Sequence, residues 1–193
     1  MKKYLTVLVI FISTTNIYAQ AFQDGNLHLK GGIGIGSPYY LNGTNGLFPP
    51  LSFSADYCIK DKIGIGGIVG TTASRYVENN GYYIVKQTYR LIGGRATYHF
   101  WSQEHWDVYL GGMMGYVFPG WKITYSAKGY SVDQIYRPRF GGVKLAGFAG
   151  ANYSVNNNWG VFGEIGYSLS FVTGGAYWRD RKSTRLNSSH SSV

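Results

Sequence analysis

Hydrophobic and polar residues alternate with a period of two along most of this chain. In residues 27–35, Leu, Leu, Gly, Ile and Ile occupy every second position, and His, Lys and two glycines stand between them. Residues 51–59 repeat the pattern, with Leu, Phe, Ala, Tyr and Ile at alternate positions. Successive side chains of a strand point to opposite faces, so the pattern predicts strands with one apolar face. No window sustains the recurrence of an amphipathic helix over three turns.

Eight segments of strand length can be drawn, at residues 27–35, 51–59, 63–73, 83–100, 108–118, 140–153, 159–167 and 170–178. The connections between them alternate in length. Long polar connections lie at 37–50, 74–82 and 119–138, and short ones at 60–62, 101–107 and 154–158. Long loops at one end and short turns at the other are typical of barrels that span the bacterial outer membrane. The predicted fold class is therefore all-β, an antiparallel up-and-down transmembrane β-barrel of about eight strands.

Composition and aromatic placement favour the same fold. Aromatic residues make up 17% of the chain and charged residues only 14%, against about 25% charged in soluble globular proteins. Many aromatics lie at segment ends, where a membrane barrel carries its interfacial girdles. Examples are Tyr57, Tyr98, Phe100, Trp106 and Trp159 toward the short connections, and Tyr39, Tyr40, Phe48, Phe118 and Tyr167 toward the long ones. The alternative, a soluble barrel or sandwich, would expose a Gly-, Ser- and Asn-rich face that is unusually poor in charge.

The two ends of the chain differ from the strand-forming region, residues 22–178. Lys2 and Lys3 precede an apolar run at 4–12, and Ala-Gln-Ala follows at 19–21. This plan predicts a signal peptide at residues 1–19, with cleavage after Ala19 or Ala21. The apolar run is shorter than the about 20 residues of a membrane-spanning helix. Residues 179–193 are basic, serine-rich and without periodicity, and they resemble translated adapter or vector sequence, which predicts a non-native tail.

Charge excludes one class of partner. The formal net charge is +9, but six of the 18 Lys and Arg residues lie in the two end segments. Without those segments the excess of positive charge is small, so a nucleic-acid partner is not expected.

Cys58 is the single cysteine, which excludes an internal disulfide.

Three segments in order, 93–100 (GGRATYHF), 106–116 (WDVYLGGMMGY) and 159–167 (WGVFGEIGY), resemble the outer membrane β-barrel family of small porin-like proteins, which includes eight-stranded OmpA-type barrels. The resemblance implies export to the bacterial cell outer membrane, with membrane lipid and lipopolysaccharide around the barrel. It also implies the barrel-assembly machinery as a partner during insertion. Family chains end on a closing strand whose last residue is aromatic, and residues 174–178 (GGAYW) resemble most of that strand. The family shares its fold far more than an activity, so no activity follows from it.

The interior predicted for such a barrel is polar and filled. The inward-facing polar set is His28, Lys30, Asp56, Arg95, Lys144 and Glu164. About eight strands leave an interior just wide enough for side chains, and buried charges are costly unless they are paired. We therefore expect a plugged, charge-paired lumen. A small pore for ions or small solutes is the alternative. No metal or cofactor site is predicted.

An enzyme is a further alternative, because some eight-stranded outer-membrane barrels modify lipid A with a histidine, a serine and a carboxylate near the outer rim. Here His28, His99 and His105 lie toward the opposite end of the predicted strands, and His190 belongs to the tail. Catalytic activity is therefore not expected.

The long connections carry an excess of positive charge. Their basic residues are Arg75, Lys122, Lys128, Arg137 and Arg139, against the acidic residues Glu78 and Asp133. These cations are either solvated or in contact with phosphates of the outer leaflet. The function expected from the sequence is a structural, surface-interaction or adhesion-like role through the outer loops.

Overall fold

The computed structural model describes residues 25–40, 45–60, 62–78, 83–103, 105–127, 130–136 and 141–180. The predicted signal peptide and most of the predicted tail lie outside these residues. The strands are β1 (Leu27–Ile35), β2 (Asn45–Lys60), β3 (Ile63–Glu78), β4 (Tyr83–Ser102), β5 (Trp106–Ala127), β6 (Tyr130–Tyr136), β7 (Gly142–Ser154), β8 (Trp159–Gly166) and β9 (Val172–Asp180). Within the described ranges, no helix is long and apolar enough to cross a membrane.

Eight of these strands close into a barrel. Neighbours in the sheet run in the order β4-β3-β2-β1-β9-β8-β7-β5, and a further pairing of β4 with β5 closes the ring. Every pairing is antiparallel. The predicted fold class, an all-β antiparallel barrel of eight strands, is confirmed.

The ninth strand, β6, lies outside the ring. The first part of β5, up to Val117, pairs with β7, whereas its continuation from Trp121 to Ala127 pairs with β6. The segment 119–138, predicted as a loop, is therefore largely a β-hairpin. Likewise β2 begins at Asn45 and β3 runs to Glu78, inside segments predicted as loops. These segments were predicted as loops because they are polar. A strand that projects beyond a membrane needs no apolar face to keep its backbone pairing, so it can have the polarity of a loop.

These extensions of β2, β3, β4 and β5, together with β6, form a sheet that projects past the barrel; we call it the protruding sheet. β1 pairs with β2 only as far as the pair Ile33 and Leu51, so the first residues of β2 form one edge of this sheet. β6 pairs with β5 alone and forms the other edge. The long connections thus build a platform continuous with the barrel wall.

The last strand begins and ends two residues later than predicted, at Val172–Asp180 in place of 170–178. β9 continues through Arg179 and Asp180, which pair with His28 and Leu27 of β1. The Arg179 side chain is buried, and its Nε and Nη2 donate to the Asn157 carbonyl at 3.3 and 3.1 Å. The barrel wall in the structure therefore extends through Asp180.

Side chains alternate between the lumen and the exterior as predicted. On β7 and β8, Val143, Leu145, Val161 and Ile165 are exposed, with 70% exposure at Leu145. Phe148, on the opposite parity of β7, is buried in the lumen. Exposed aromatics lie toward the short turns, at Tyr57, Tyr98, Phe100, Trp101, Trp106 and Trp159, and toward the other end, at Phe48, Phe118, Tyr167 and Phe171. An apolar exterior bounded by aromatics is the surface of a membrane-spanning barrel.

Candidate functional site

Four charged side chains from four strands meet inside the barrel. Arg95 of β4 is 2.6 Å from Glu164 of β8 (Nη2 to Oε1) and 3.1 Å from Asp56 of β2 (Nε to Oδ1). Lys30 of β1 lies 3.7 Å from Glu164 and 3.8 Å from Asp56. Lys30 and Asp56 are each 2% exposed and Arg95 is 4% exposed. Two cations and two carboxylates therefore form a balanced network in the lumen.

Tyr109 of β5 completes this network. Its hydroxyl accepts a hydrogen bond from Lys30 Nζ at 2.8 Å and donates to Glu164 Oε1 at 2.7 Å. Lys30 Nζ also lies 4.1 Å from the centre of the Tyr109 ring, and Arg95 Cζ lies 4.4 Å from the centre of the Phe148 ring. Tyr109 was not among the predicted lumen residues, although it is an aromatic residue on the inward-facing parity of β5.

A glycine makes room for the network. Gly66 of β3 pairs with both Asp56 and Arg95 across the sheet. A Cβ at this position would lie 2.5 Å from Asp56 Oδ1 and 2.0 Å from the Ala55 carbonyl oxygen. A larger residue would therefore displace the carboxylate that Arg95 contacts.

A second buried cluster lies next to the first. His99 Nδ1 is 2.8 and 2.9 Å from the two carboxylate oxygens of Asp107, and His99 Nε2 is 3.1 Å from Thr97 Oγ1. Asn152 Nδ2 donates to Asp107 Oδ2 at 2.8 Å. Hydroxyl, imidazole and carboxylate stand in the order of a hydrolytic triad. All four residues are buried in a packed lumen, so this arrangement ties β4, β5 and β7 together.

Of the other two residues of the predicted lumen set, His28 lies directly opposite Asp56 across the sheet, whereas Lys144 lies farther along the barrel. His28 is buried and its ring stacks on Tyr177, with the ring centres 5.7 Å apart. Lys144 is only partly buried; its Nζ lies 4.1 Å from the Tyr167 ring centre and 5.4 Å from that of Tyr39. Lys144 therefore contacts aromatic rings and does not join the network of Lys30, Asp56, Arg95 and Glu164. The alternation of side chains along β7 places Lys144 on the inner wall of the barrel. Lys144 pairs with Gly115, six residues along β5 from Tyr109, and so lies away from the network.

The predicted outer cations are described only in part. Arg75 of β3 and Lys122 of β5 lie on the protruding sheet, whereas Lys128, Arg137 and Arg139 fall outside the described residues. Lys86 of β4 stands between the first two, directly opposite both Arg75 and Lys122. Lys86 was not among the predicted outer cations because it lies in a segment predicted as a strand, 83–100, and not in a predicted loop.

Lys122 has an acidic partner on β6. Its Nζ is 2.6 Å from Asp133 Oδ2, and Thr124 Oγ1 donates to Asp133 Oδ1 at 2.7 Å. The hydrogen bond from Lys122, with a smaller effect from that of Thr124, lowers the pKa of Asp133 from its ordinary value. Both members of the pair are solvent-exposed, unlike the pairs in the lumen.

Among the described residues, no group of three His, Cys, Asp or Glu side chains is arranged to hold a metal ion. The closed ring, the apolar exterior and the filled interior define the class of this protein as a transmembrane β-barrel. The two charged regions on which a function can be argued are the lumen network and the protruding sheet.

Solved structures of similar architecture are outer-membrane barrels at low sequence identity. The attachment invasion locus protein Ail of Yersinia pestis is 17% identical, with a TM-score of 0.48 over 82% of this chain and 100% of Ail. The N-terminal barrel domain of Pseudomonas aeruginosa OprF is 13% identical, with a TM-score of 0.43 over 81% of this chain and 98% of that domain. Neisserial surface protein A is 15% identical, with a TM-score of 0.42 over 81% of this chain and 95% of its own. No protein-family model and no curated protein sequence matches the chain.

Proposed function

We propose that this protein is a bacterial outer-membrane scaffold that holds an interaction surface, the protruding sheet, at the cell exterior. The observation that carries the proposal is the continuity of β2, β3, β4 and β5 from the barrel into that sheet. Hydrogen-bonded strands position a surface more rigidly than loops do. The apolar exterior supports location in the membrane, and the predicted signal peptide supports export to the outer one.

The two edges of the protruding sheet differ, which supports an interaction at one of them. The edge of β2 carries Pro49 and Pro50, which lack backbone donors and discourage pairing with another strand. The edge of β6 reads YSVDQIY, with neither proline nor lysine, and Val132 and Ile135 there are 58% and 72% exposed. The one charged residue of this edge, Asp133, is paired with Lys122. An edge with exposed β-branched side chains is suited to receive an extended segment of a partner protein.

The filled lumen supports a scaffold over a pore. Paired charges and aromatic rings occupy the interior, and eight strands leave little space beyond them. The test is reconstitution of the chain without residues 181–193 into planar bilayers. We expect no stable single-channel steps of porin size from protein whose heat-dependent gel mobility shows that it is folded. Reproducible steps from such a preparation would establish the pore instead.

The interaction itself is tested on whole cells that display the protein. Surface exposure is measured by protease cleavage in the β5–β6 hairpin, and adhesion by the retention of these cells on epithelial monolayers. Val132→Lys together with Ile135→Lys should reduce adhesion severalfold at equal display, because charges on the β6 edge oppose strand addition. The matched control places the same two charges on the other edge, by Leu47→Lys and Phe48→Lys. Equal adhesion by all three strains would contradict the proposal, as would recovery of the protein from the soluble periplasm.

A further inference from the structure

A groove of about 720 Å³ lies on the outer wall of the barrel where the wall meets the protruding sheet. Its floor is formed by Ala73, Thr88 and Gly120, which stand directly opposite one another on β3, β4 and β5. Three small side chains in a row leave a depression between larger neighbours. Phe48 borders it on the β2 side, opposite Ala73, and Ile135 borders it on the β6 side.

Cations flank this floor above and below. On the outer side, Arg75, Lys86 and Lys122 form one cross-strand row. On the membrane side, Arg90 lies two residues from Thr88 on the same face of β4, opposite Phe118. Asp133 forms an ion pair with Lys122, whereas Arg75, Lys86 and Arg90 form no ion pair within the described part of this surface. The groove is therefore positively charged, with aromatic and aliphatic side chains at its borders.

The height of the groove can be estimated along β4. From Phe100 upward, the outward-facing residues are Phe100, Tyr98, Ala96, Gly94 and Ile92, and Arg90 is the first charge. Ten residues of strand span about 33 Å, or about 25 Å along the membrane normal at the usual tilt of 35–45°. An apolar band of about 25 Å is what an outer-membrane barrel presents to lipid. Arg90 and the groove floor therefore lie at the level of the lipid headgroups.

We propose that this groove binds a phosphorylated lipid of the outer leaflet. Its phosphate lies over the floor, where Lys86 and Arg90 contact it from above and below and the Thr88 hydroxyl donates to it. Its acyl chain runs down the wall over Phe118 and Ile92. Charge complementarity and position select this occupant: the cations match a phosphate, and the apolar wall below them matches an acyl chain, which a free phosphate lacks. The proposal rests on the outer-membrane location argued above.

The test measures binding of lipid A, a bis-phosphorylated and multiply acylated disaccharide, to the detergent-solubilised protein by native mass spectrometry. Lys86→Gln with Arg90→Gln should weaken binding roughly tenfold or more, because two charge-assisted hydrogen bonds to phosphate are lost. Lys60→Gln with Lys62→Gln is the matched control, since both lysines are exposed at the β2–β3 turn at the other end of the barrel. Asp133→Asn should strengthen binding, because it frees Lys122.

A second pair of variants tests the shape of the groove. A Cβ at Gly120 comes no nearer than 3.9 Å to the Thr88 carbonyl oxygen, so Gly120→Leu fills the floor without straining the strand. Gly174→Leu is its control, because a Cβ at this outward-facing glycine of β9 meets only the Phe162 carbonyl oxygen at 3.8 Å. We expect Gly120→Leu to reduce lipid binding severalfold and Gly174→Leu to leave it unchanged.

Two results would overturn the lipid site. One is equal weakening of lipid A binding by the double variant and by its lysine control. The other is full competition by inorganic phosphate at concentrations comparable to the lipid, which would establish a free-phosphate site. Heat-dependent gel mobility verifies that each variant is folded. A folded, membrane-inserted protein that fails to bind lipid A leaves the proposed scaffold function intact, so the two failures are distinguishable.

Discussion

Two ion pairs of equal length lie in two different regions of this molecule. Arg95 and Glu164 are 2.6 Å apart in the lumen, and Lys122 and Asp133 are 2.6 Å apart on the protruding sheet. The first pair is almost enclosed by protein, whereas both side chains of the second are nearly half exposed. A charge pair at one distance therefore serves two purposes. Inside, pairing avoids the high cost of an uncompensated buried charge; outside, it adjusts the local charge of a surface.

The largest effect is expected from breaking the inner pair. Glu164→Gln leaves Lys30 and Arg95 to share Asp56, and we expect the free energy of unfolding to fall by about 3–5 kcal/mol. Urea titration of the lipid-reconstituted barrel, followed by tryptophan fluorescence, measures it. Asp133→Asn is the matched control and should change the midpoint little. Similar losses in the two variants would show that burial is not what separates the two pairs.

The next largest effect compares two exposed aliphatic residues. Leu145 on the barrel wall is 70% exposed and Ile135 on the protruding sheet is 72% exposed, but we place the first against the hydrocarbon of the membrane and the second beyond it. Leu145→Arg should destabilise the barrel by about 2–4 kcal/mol near the membrane midplane, and Ile135→Arg should cost far less. The same urea titration of the lipid-reconstituted barrel measures the loss of stability in both variants. Equal costs would mean that the wall at Leu145 does not face hydrocarbon.

A smaller effect is expected from removing one hydroxyl in the lumen. Tyr109→Phe leaves the ring in place but removes the bridge between Lys30 and Glu164. The expected loss is about 1–3 kcal/mol, the cost of leaving buried polar groups unsatisfied. Tyr98→Phe, at an exposed tyrosine of the same barrel, should be neutral in the same urea titration. If the two variants unfold at the same midpoint, Tyr109 acts only by filling space.

The smallest effect concerns pH and the outer pair. Because Lys122 lowers the pKa of Asp133, the contribution of this carboxylate is present above its unfolded pKa and is lost as pH falls through the lower, folded pKa. We expect cleavage of the β5–β6 hairpin by pepsin to accelerate at the acid end of that range. Asp133→Asn should be cleaved faster than the wild type above this range and at an equal rate below it, and comparing the two proteins at each pH removes the pH dependence of pepsin itself. A ratio of the two rates that does not vary with pH would exclude a role of this pair in holding the hairpin.

Part of the lumen network could be predicted from the sequence. Parity placed Lys30, Asp56, Arg95 and Glu164 on the inner wall, and the cost of unpaired buried charge implied that they would pair. Their partners could not be predicted, since each pair depends on strand register and on which strands face each other across the barrel. Tyr109 and the His99–Asp107 pair were missed for the same reason, because neither contact is local to one strand.

Other sequence-based predictions stay predictions. The signal peptide and its cleavage site concern residues outside the described ranges, as do Lys128, Arg137 and Arg139 and the foreign origin of the tail. The assembly machinery as a partner rests on the family resemblance alone.

The sequence by itself determined the number of barrel strands and the face on which their side chains lie. Successive side chains of a strand point to opposite faces, so the alternation of apolar and polar residues shows directly which side faces the membrane and which faces the lumen. Only the tertiary structure decided how far the strands extend, which charges meet and where the groove lies. A polar strand beyond the membrane looks like a loop in sequence. Ring closure brings together residues as distant in the chain as Lys30 and Glu164. The row of Ala73, Thr88 and Gly120 exists only once the register of three strands is set.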